Sequence, residues 1–240
     1  MSKPVFLDNV AHHDLKVITG YAAPFGDSVN QAIVFPTEFL ELQREYAIFF
    51  RRTEEGWQSV VLLGLDTDEN LYLDGDSWNA RYVPALHQRG PCMIGYRDIE
   101  VDGDLRREPI IAVDMEHPRV SRTRGMPLFL PHGGNAPLLE HFAKVLQTLQ
   151  IGEEASSGMF AAFEAAGLIV PVSIDLRLDE STLYVVPDLF TISAEALAGL
   201  KGGELERLNA PGYLVLAHYV LASVSNVNRL IELKNRRRTA

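Results

Sequence analysis

Two residues near the start of the chain have the types and the spacing of metal ligands. His12 and Asp14 are separated by one residue, so on an extended backbone they project from one face and both can reach a single ion. This is the spacing of the first two ligands in a two-histidine, one-carboxylate site, the centre of Fe(II)-type oxygenases. His132, His141 or His218 could supply the third ligand, and the sequence does not select among them. The plainer role is that Asp14 caps a turn and His12 is a polar surface residue. Asp114 and Glu116 form a second candidate: they share a strand face, with His117 just past the strand end. Such a pair suits a divalent cation or acid–base work, or is simply solvated where the chain leaves a sheet.

Glu45, Asn70, Trp78 and Tyr82 could line a binding pocket. Aromatic rings beside an amide and a carboxylate suit a peptide or an aromatic ligand. Against that, Tyr46, Trp78 and Tyr82 could fill the core while Asn70 holds a turn through its side chain. His132-Gly133-Gly134-Asn135 resembles a binding loop whose amides could hold an anion. There is no G-x-x-x-x-G-K-[ST], no strand-linked G-x-G-x-x-G and no G-x-S-x-G, so nucleotide binding and serine hydrolysis lack support. Cys92 is the only cysteine. It rules out an intramolecular disulfide and a cysteine zinc site, and reads as a buried thiol. The basic run Lys234 to Arg238 suits the negative end of a helix, or an acidic partner.

The densest structural signals lie in residues 36–84. A helix is predicted after Pro36 with Thr37 as its cap, then a strand over 46–50. Glu54-Glu55-Gly56 turns it back into a strand over 57–65, giving a hairpin. A helix is predicted over 78–87, capped by Ser77 and interrupted by Pro84. Before this stretch, 3–19 reads as extended and 31–35 as a short buried strand. After it, strands are expected over 91–96 and 109–115, with a charged, turn-rich segment at 98–108. Residues 121–135 read as a long irregular loop, a seam between two halves. Helices are predicted over 136–151 and 156–166, the second ended by Gly167. An antiparallel pair over 168–178 and 182–192 follows, turned at Asp179-Glu180-Ser181. Ser193 caps a helix over 194–200, a short helix runs to Leu208, and a last helix starts at Pro211.

The totals set limits on this reading. The chain has 240 residues, 47% hydrophobic and 22% charged, with a formal net charge of −10. That is enough to build a sizeable core. An acidic surface repels phosphate backbones, which argues against broad nucleic-acid or anionic-membrane binding. The first residues lack the basic and apolar regions of a secretory signal, and no apolar run approaches the roughly 20 residues of a membrane span. A cytoplasmic protein is expected.

Several blocks together resemble the bacterial SapC family, also described as S-layer-related. They are His12-x-Asp14-Leu15-x-Val17, Arg44-Glu45-Tyr46-Ala47-Ile48-Phe49-Phe50, Leu62-Leu63-Gly64-Leu65 with Glu69-Asn70-Leu71, and Trp78-x-x-x-Tyr82-Val83-Pro84-Ala85. Similarity continues through Gly125 to Phe129, residues 192–200 and Ala217-His218-Tyr219. Ala47 departs from the family's usual proline, and Gln88-Arg89-Gly90-Pro91-Cys92 from an R-x-Y-P-F run. The resemblance implies a link to surface-layer genes, and to neighbours similar to TonB-dependent receptors and flavin-dependent tryptophan halogenases. It assigns no catalytic residues.

The expected fold is α+β: a largely antiparallel β-sheet core in the N-terminal half, with helices concentrated in the C-terminal half. One domain is expected over 1–240, with an internal seam near 121–135. The expected function is a non-catalytic accessory or binding protein acting on a protein or peptide partner, or alongside a neighbouring modifying enzyme. It needs no cofactor, and a homo-oligomer is compatible with it. The alternatives are a metal-dependent, Fe(II)-type oxygenase-like enzyme acting on a peptide or small molecule through His12 and Asp14, and a surface-layer component.

Overall fold

The apolar positions of residues 136–166 belong to one helix, not two. In the computed structural model, which describes residues 4–101, 104–180 and 182–239, Pro137–Ala165 is a single helix of 29 residues. Its first half contributes Leu139, Phe142, Val145, Leu146 and Leu149 to one hydrophobic cluster. Its second half contributes Met159, Phe160 and Phe163 to another. Gly152, in the gap between the two predicted helices, is buried between them.

In chain order the strands are β1 (Val5–Phe6), β2 (Lys16–Val17), β3 (Gln31–Val34), β4 (Ile48–Thr53), β5 (Gly56–Leu62), β6 (Leu73–Asp74), β7 (Ser77–Trp78), β8 (Cys92–Val101), β9 (Asp104–Val113), β10 (Val120–Ser121), β11 (Met126–Pro127), β12 (Ile169–Arg177) and β13 (Leu183–Ile192). The α-helices are α1 (Phe39–Leu42), α2 (Ala85–Gln88), α3 (Pro137–Ala165), α4 (Ala194–Gly199), α5 (Gly203–Asn209), α6 (Tyr213–Ser223) and α7 (Val227–Thr239). The main sheet has the order β12-β13-β4-β5-β3, with every pairing antiparallel. The fold is α+β, and its longer helices follow residue 136.

The predicted hairpin forms as β4–β5, with Thr53 opposite Gly56 and Glu54-Glu55 as its tip. Gly56 has φ +127, which side-chain-bearing residues rarely adopt. Ile48, Phe49 and Phe50 are all fully buried, as a central strand covered on both faces requires. The Phe50 ring meets Phe160 of α3 edge-on at 5.1 Å. The Ser223 Oγ at the end of α6 accepts the Ile48 N–H at 2.9 Å, and Asn226 donates to the carbonyls of Gln43 and Tyr46.

Three local expectations are corrected. Thr37 caps no helix: a short 3-10 turn covers Pro36–Glu38, and the Thr37 hydroxyl donates to the Thr148 carbonyl of α3. Residues 78–87 are not one helix. Trp78 lies in β7, paired with Leu73, and only Ala85–Gln88 is helical, because Pro84 blocks an earlier start. The described parts of the charged segment 98–108 belong to the strands β8 and β9, which carry an Arg97–Glu108 ion pair at 2.6 Å between them, and residues 102 and 103 of that segment lie outside the described residues. Residues 121–135 pack as a seam and not as a free linker, in keeping with the sequence reading: β11 pairs with β2, and Leu128 and Phe129 are buried. Lys3 and Ser181, included in the predicted extended segment and turn, lie outside the described residues.

The helical run Tyr213–Thr239 is, by length and composition alone, long and apolar enough to cross a membrane, which differs from the sequence expectation. It buries Ala217, Val220, Ser223 and Leu230. Its basic end folds back onto the chain. Lys234 bonds Asp66 and Glu69, Arg237 donates to the carbonyls of Asn70 and Leu73, and Arg238 pairs with Asp179.

Candidate functional site

Of the residues proposed from sequence as a pocket, three are ordered by the core. The Trp78 Nε1–H donates to the Tyr46 hydroxyl at 2.8 Å, and that hydroxyl donates to the Tyr82 carbonyl at 2.6 Å. Burial pushes the Tyr46 and Tyr82 phenols well above their ordinary pKa, so both stay protonated donors. The Tyr82 hydroxyl donates to buried Glu38 at 3.1 Å, which also accepts the N–H groups of Ala85 and Phe35. Asn70 is 1% exposed. It accepts the Tyr72 N–H and donates to the Asp27 carbonyl, holding its turn as side-chain-to-backbone bonding predicts. Glu45 accepts the Arg81 N–H at 2.6 Å and faces Arg229 at 3.4 Å. Trp78, Tyr82, Glu45 and Asn70 thus bond to framework atoms.

The metal candidates are also occupied by local partners. His12 Nδ1 accepts the Asp8 N–H at 3.0 Å, and Asp14 is ion-paired with Arg122. Asp114 accepts the Glu116 N–H at 3.0 Å. Among the described residues no group of three or more His, Cys, Asp and Glu side chains is placed to hold one metal ion. Cys92 is buried, and burial pushes its thiol up to about 12, which removes thiolate reactivity near neutrality.

A spacious concavity lies elsewhere, in the angle between the β3–β5 side of the main sheet and α3. It is an open groove of about 570 Å³. A Cβ on Gly152 would lie 2.5 Å from the Phe35 Cβ and 2.6 Å from the Thr37 Oγ1, so α3 touches the end of β3 there. Beyond this contact Trp57 and Phe160 stand between helix and sheet, their rings stacked at 6.1 Å and 20°. Trp57 and Ser59 share a strand face by the two-residue period, and β3 is the sheet's edge.

The groove's chemistry is one-sided. Its aromatic residues are Trp57 and the buried Phe160, its small polar wall is Ser156 and Ser157, and its charged lining residues are Glu55, Glu153 and Glu164, with the Arg52 guanidinium 4.8 Å from the Trp57 ring centre. Glu164 accepts the Trp57 Nε1–H at 2.7 Å and the Arg52 guanidinium at 2.9 Å, and those two donors hold its carboxyl below the usual range. Glu55 and Glu153 make no ion pair among the described residues. Among the lining residues, the Ser59 hydroxyl is fully covered and has no hydrogen-bond partner among the described residues. Sequence reasoning missed this site. Its walls come from segments about a hundred residues apart, and the only local signal was a tryptophan on a strand whose outer neighbours are polar.

No curated protein and no solved structure matches the chain. A family model does, over residues 7–230, which takes in both hydrophobic clusters and every wall of the groove. The chain belongs to the SapC family.

Proposed function

We propose that this is a non-catalytic binding protein whose groove takes an extended segment of a partner protein or peptide carrying a lysine or arginine beside an apolar residue. One observation carries the reading: an open groove of about 570 Å³ lined by Trp57, in which every charged lining residue is a glutamate. Trp57, half-buried and backed by the buried Phe160 ring, offers an aromatic contact of the kind that dominates binding energy at peptide-recognition surfaces, with the Arg52 guanidinium 4.8 Å from its ring centre. Glu55 and Glu153 offer carboxylates not engaged in ion pairs, which suits a cationic side chain and speeds encounter with it. Ser156 and Ser157 add small polar contacts at low ordering cost.

Selection from a random-peptide display library on the immobilised full chain tests the proposal. The selected sequences should converge on a basic residue next to an aromatic or aliphatic one. Convergence on acidic sequences, or no convergence, contradicts it.

A further inference from the structure

A second, smaller cavity of about 220 Å³ lies beside α2 and shares the wall residue Leu86 with the groove. It gathers six ionisable side chains: Asp27, His87, Arg89, Asp114, His117 and Arg119. Their pairing is uneven. Asp27 is fully used. Its Oδ2 accepts Arg119 Nη2 at 2.6 Å and the Ala22 N–H at 2.9 Å, and its Oδ1 faces His87 Nδ1 at 3.0 Å. Arg119 is equally fixed, with its guanidinium carbon 4.9 Å from the Tyr21 ring centre and 5.1 Å from that of Phe25.

Arg89 differs. Its Nη1 donates to the Cys92 carbonyl at 2.9 Å, and it makes no ion pair among the described residues. Burial lowers its pKa from the ordinary value, yet a guanidinium stays charged near neutrality. A partly buried guanidinium that faces a cavity and makes no ion pair of its own is a site for an anion. Beside it, His117 Nδ1 accepts the Arg119 N–H at 3.1 Å, so the neutral ring carries its proton on Nε2 as a donor. Burial and the Arg119 guanidinium hold His117 below its usual pKa and keep it neutral.

We propose that this cavity binds a small organic carboxylate, with Arg89 as its counter-ion and the His117 N–H as a second donor. Arg89 has no ion-pair partner among the described residues, and its planar guanidinium matches a planar carboxylate. Asp114 on the same wall disfavours a phosphate dianion. The volume falls below the roughly 300 Å³ at which drug-sized ligands begin, which limits the ligand to an acid of a few carbons. This site stands or falls independently of the groove.

The test is a proton NMR titration of the full chain at neutral pH and constant ionic strength. Sodium acetate replaces sodium chloride while the histidine ring resonances are followed, with His117→Gln assigning one of them. The His117 signal should shift saturably with acetate. Arg89→Gln should raise the half-saturating concentration about tenfold or more, as loss of a hydrogen bond to a charged group implies. Arg97→Gln on the exposed hairpin should leave it unchanged. If Arg89→Gln does not fold, Arg89→Lys, which keeps the charge without the fork, should still weaken binding severalfold. The proposal is overturned by a His117 shift that never saturates in the unmodified chain. It is equally overturned by phosphate binding at least as tightly as acetate, or by acetate binding unaltered in the Arg89 variant.

Discussion

Gly152 of α3 and Phe35 at the end of β3 meet so closely that a Cβ on the glycine would lie 2.5 Å from the Phe35 Cβ. Phe35 packs against the hydrophobic cluster that the first half of α3 helps build and also lines the groove. Helix propensity alone makes Gly→Ala favourable by about 1 kcal/mol. At this position the steric cost wins: Gly152→Ala should destabilise the protein by about 1–3 kcal/mol, the usual range for overpacking. Gly199 in α4, where a Cβ would meet nothing within 4 Å, is the control, and Gly199→Ala should be neutral or slightly stabilising. Urea unfolding midpoints of the two variants check both.

The Trp78–Tyr46–Tyr82 chain makes a second prediction. Tyr46→Phe removes one oxygen yet leaves two buried groups without partners, the Trp78 Nε1–H and the Tyr82 carbonyl. Unmet buried groups cost about 1–3 kcal/mol each, so the loss of stability should exceed that of an isolated hydrogen bond. Unfolding followed by tryptophan fluorescence measures it. A loss under about 0.5 kcal/mol, the low end for one net hydrogen bond, would falsify the network account.

Asp27 gives the pH dependence. Burial alone would raise its carboxyl. The bond from His87, the Arg119 guanidinium and the Ala22 amide outweigh burial and bring it below the ordinary value of 3.8. A depressed carboxylate contributes stability that is present above its unfolded pKa and lost as pH falls through the folded value. Asp27→Asn should therefore flatten the acid limb of the stability profile below about pH 4. At neutral pH it should cost about 3–5 kcal/mol, because Arg119, 4% exposed, is left without its counter-ion. Glu38 works in the opposite sense. Burial raises its pKa despite three hydrogen bonds, so its contribution is present at low pH and is lost as pH rises through the folded value. Urea midpoints from pH 3 to 7 for Asp27→Asn and Glu38→Gln should diverge accordingly.

The sequence was legible where a segment's neighbours are near in the chain. The β4–β5 hairpin, the Ser193 cap of α4 and the β12–β13 pair follow from local alternation and turn chemistry, and the Ser193 Oγ does accept the Ala196 N–H. Local reading failed where a distant contact decided the outcome. Residues 152–155 fall between the two predicted helices, but they continue one helix, and a glycine at 152 is what lets it pass Phe35. Glu108 reads as part of a turn-rich segment because its neighbours are charged, whereas in an exposed hairpin it pairs across strands with Arg97. Trp78 reads as helical beside a cap-like Ser77, but both pair back onto β6. The groove was invisible because Trp57 and Glu164 are brought together only by tertiary packing.

The most direct measurement is fluorescence anisotropy of a labelled peptide bearing the basic–apolar pair returned by display selection, titrated with the full chain. Ala161 is exposed on α3 and lines the groove, so Ala161→Trp fills the groove without touching the core. The account predicts saturable binding to the unmodified chain and at least a tenfold loss in Ala161→Trp with an unchanged unfolding midpoint. A smaller loss is expected in Glu55→Gln/Glu153→Gln, shrinking as salt screens the rim carboxylates. Undiminished binding to a folded Ala161→Trp variant would contradict it.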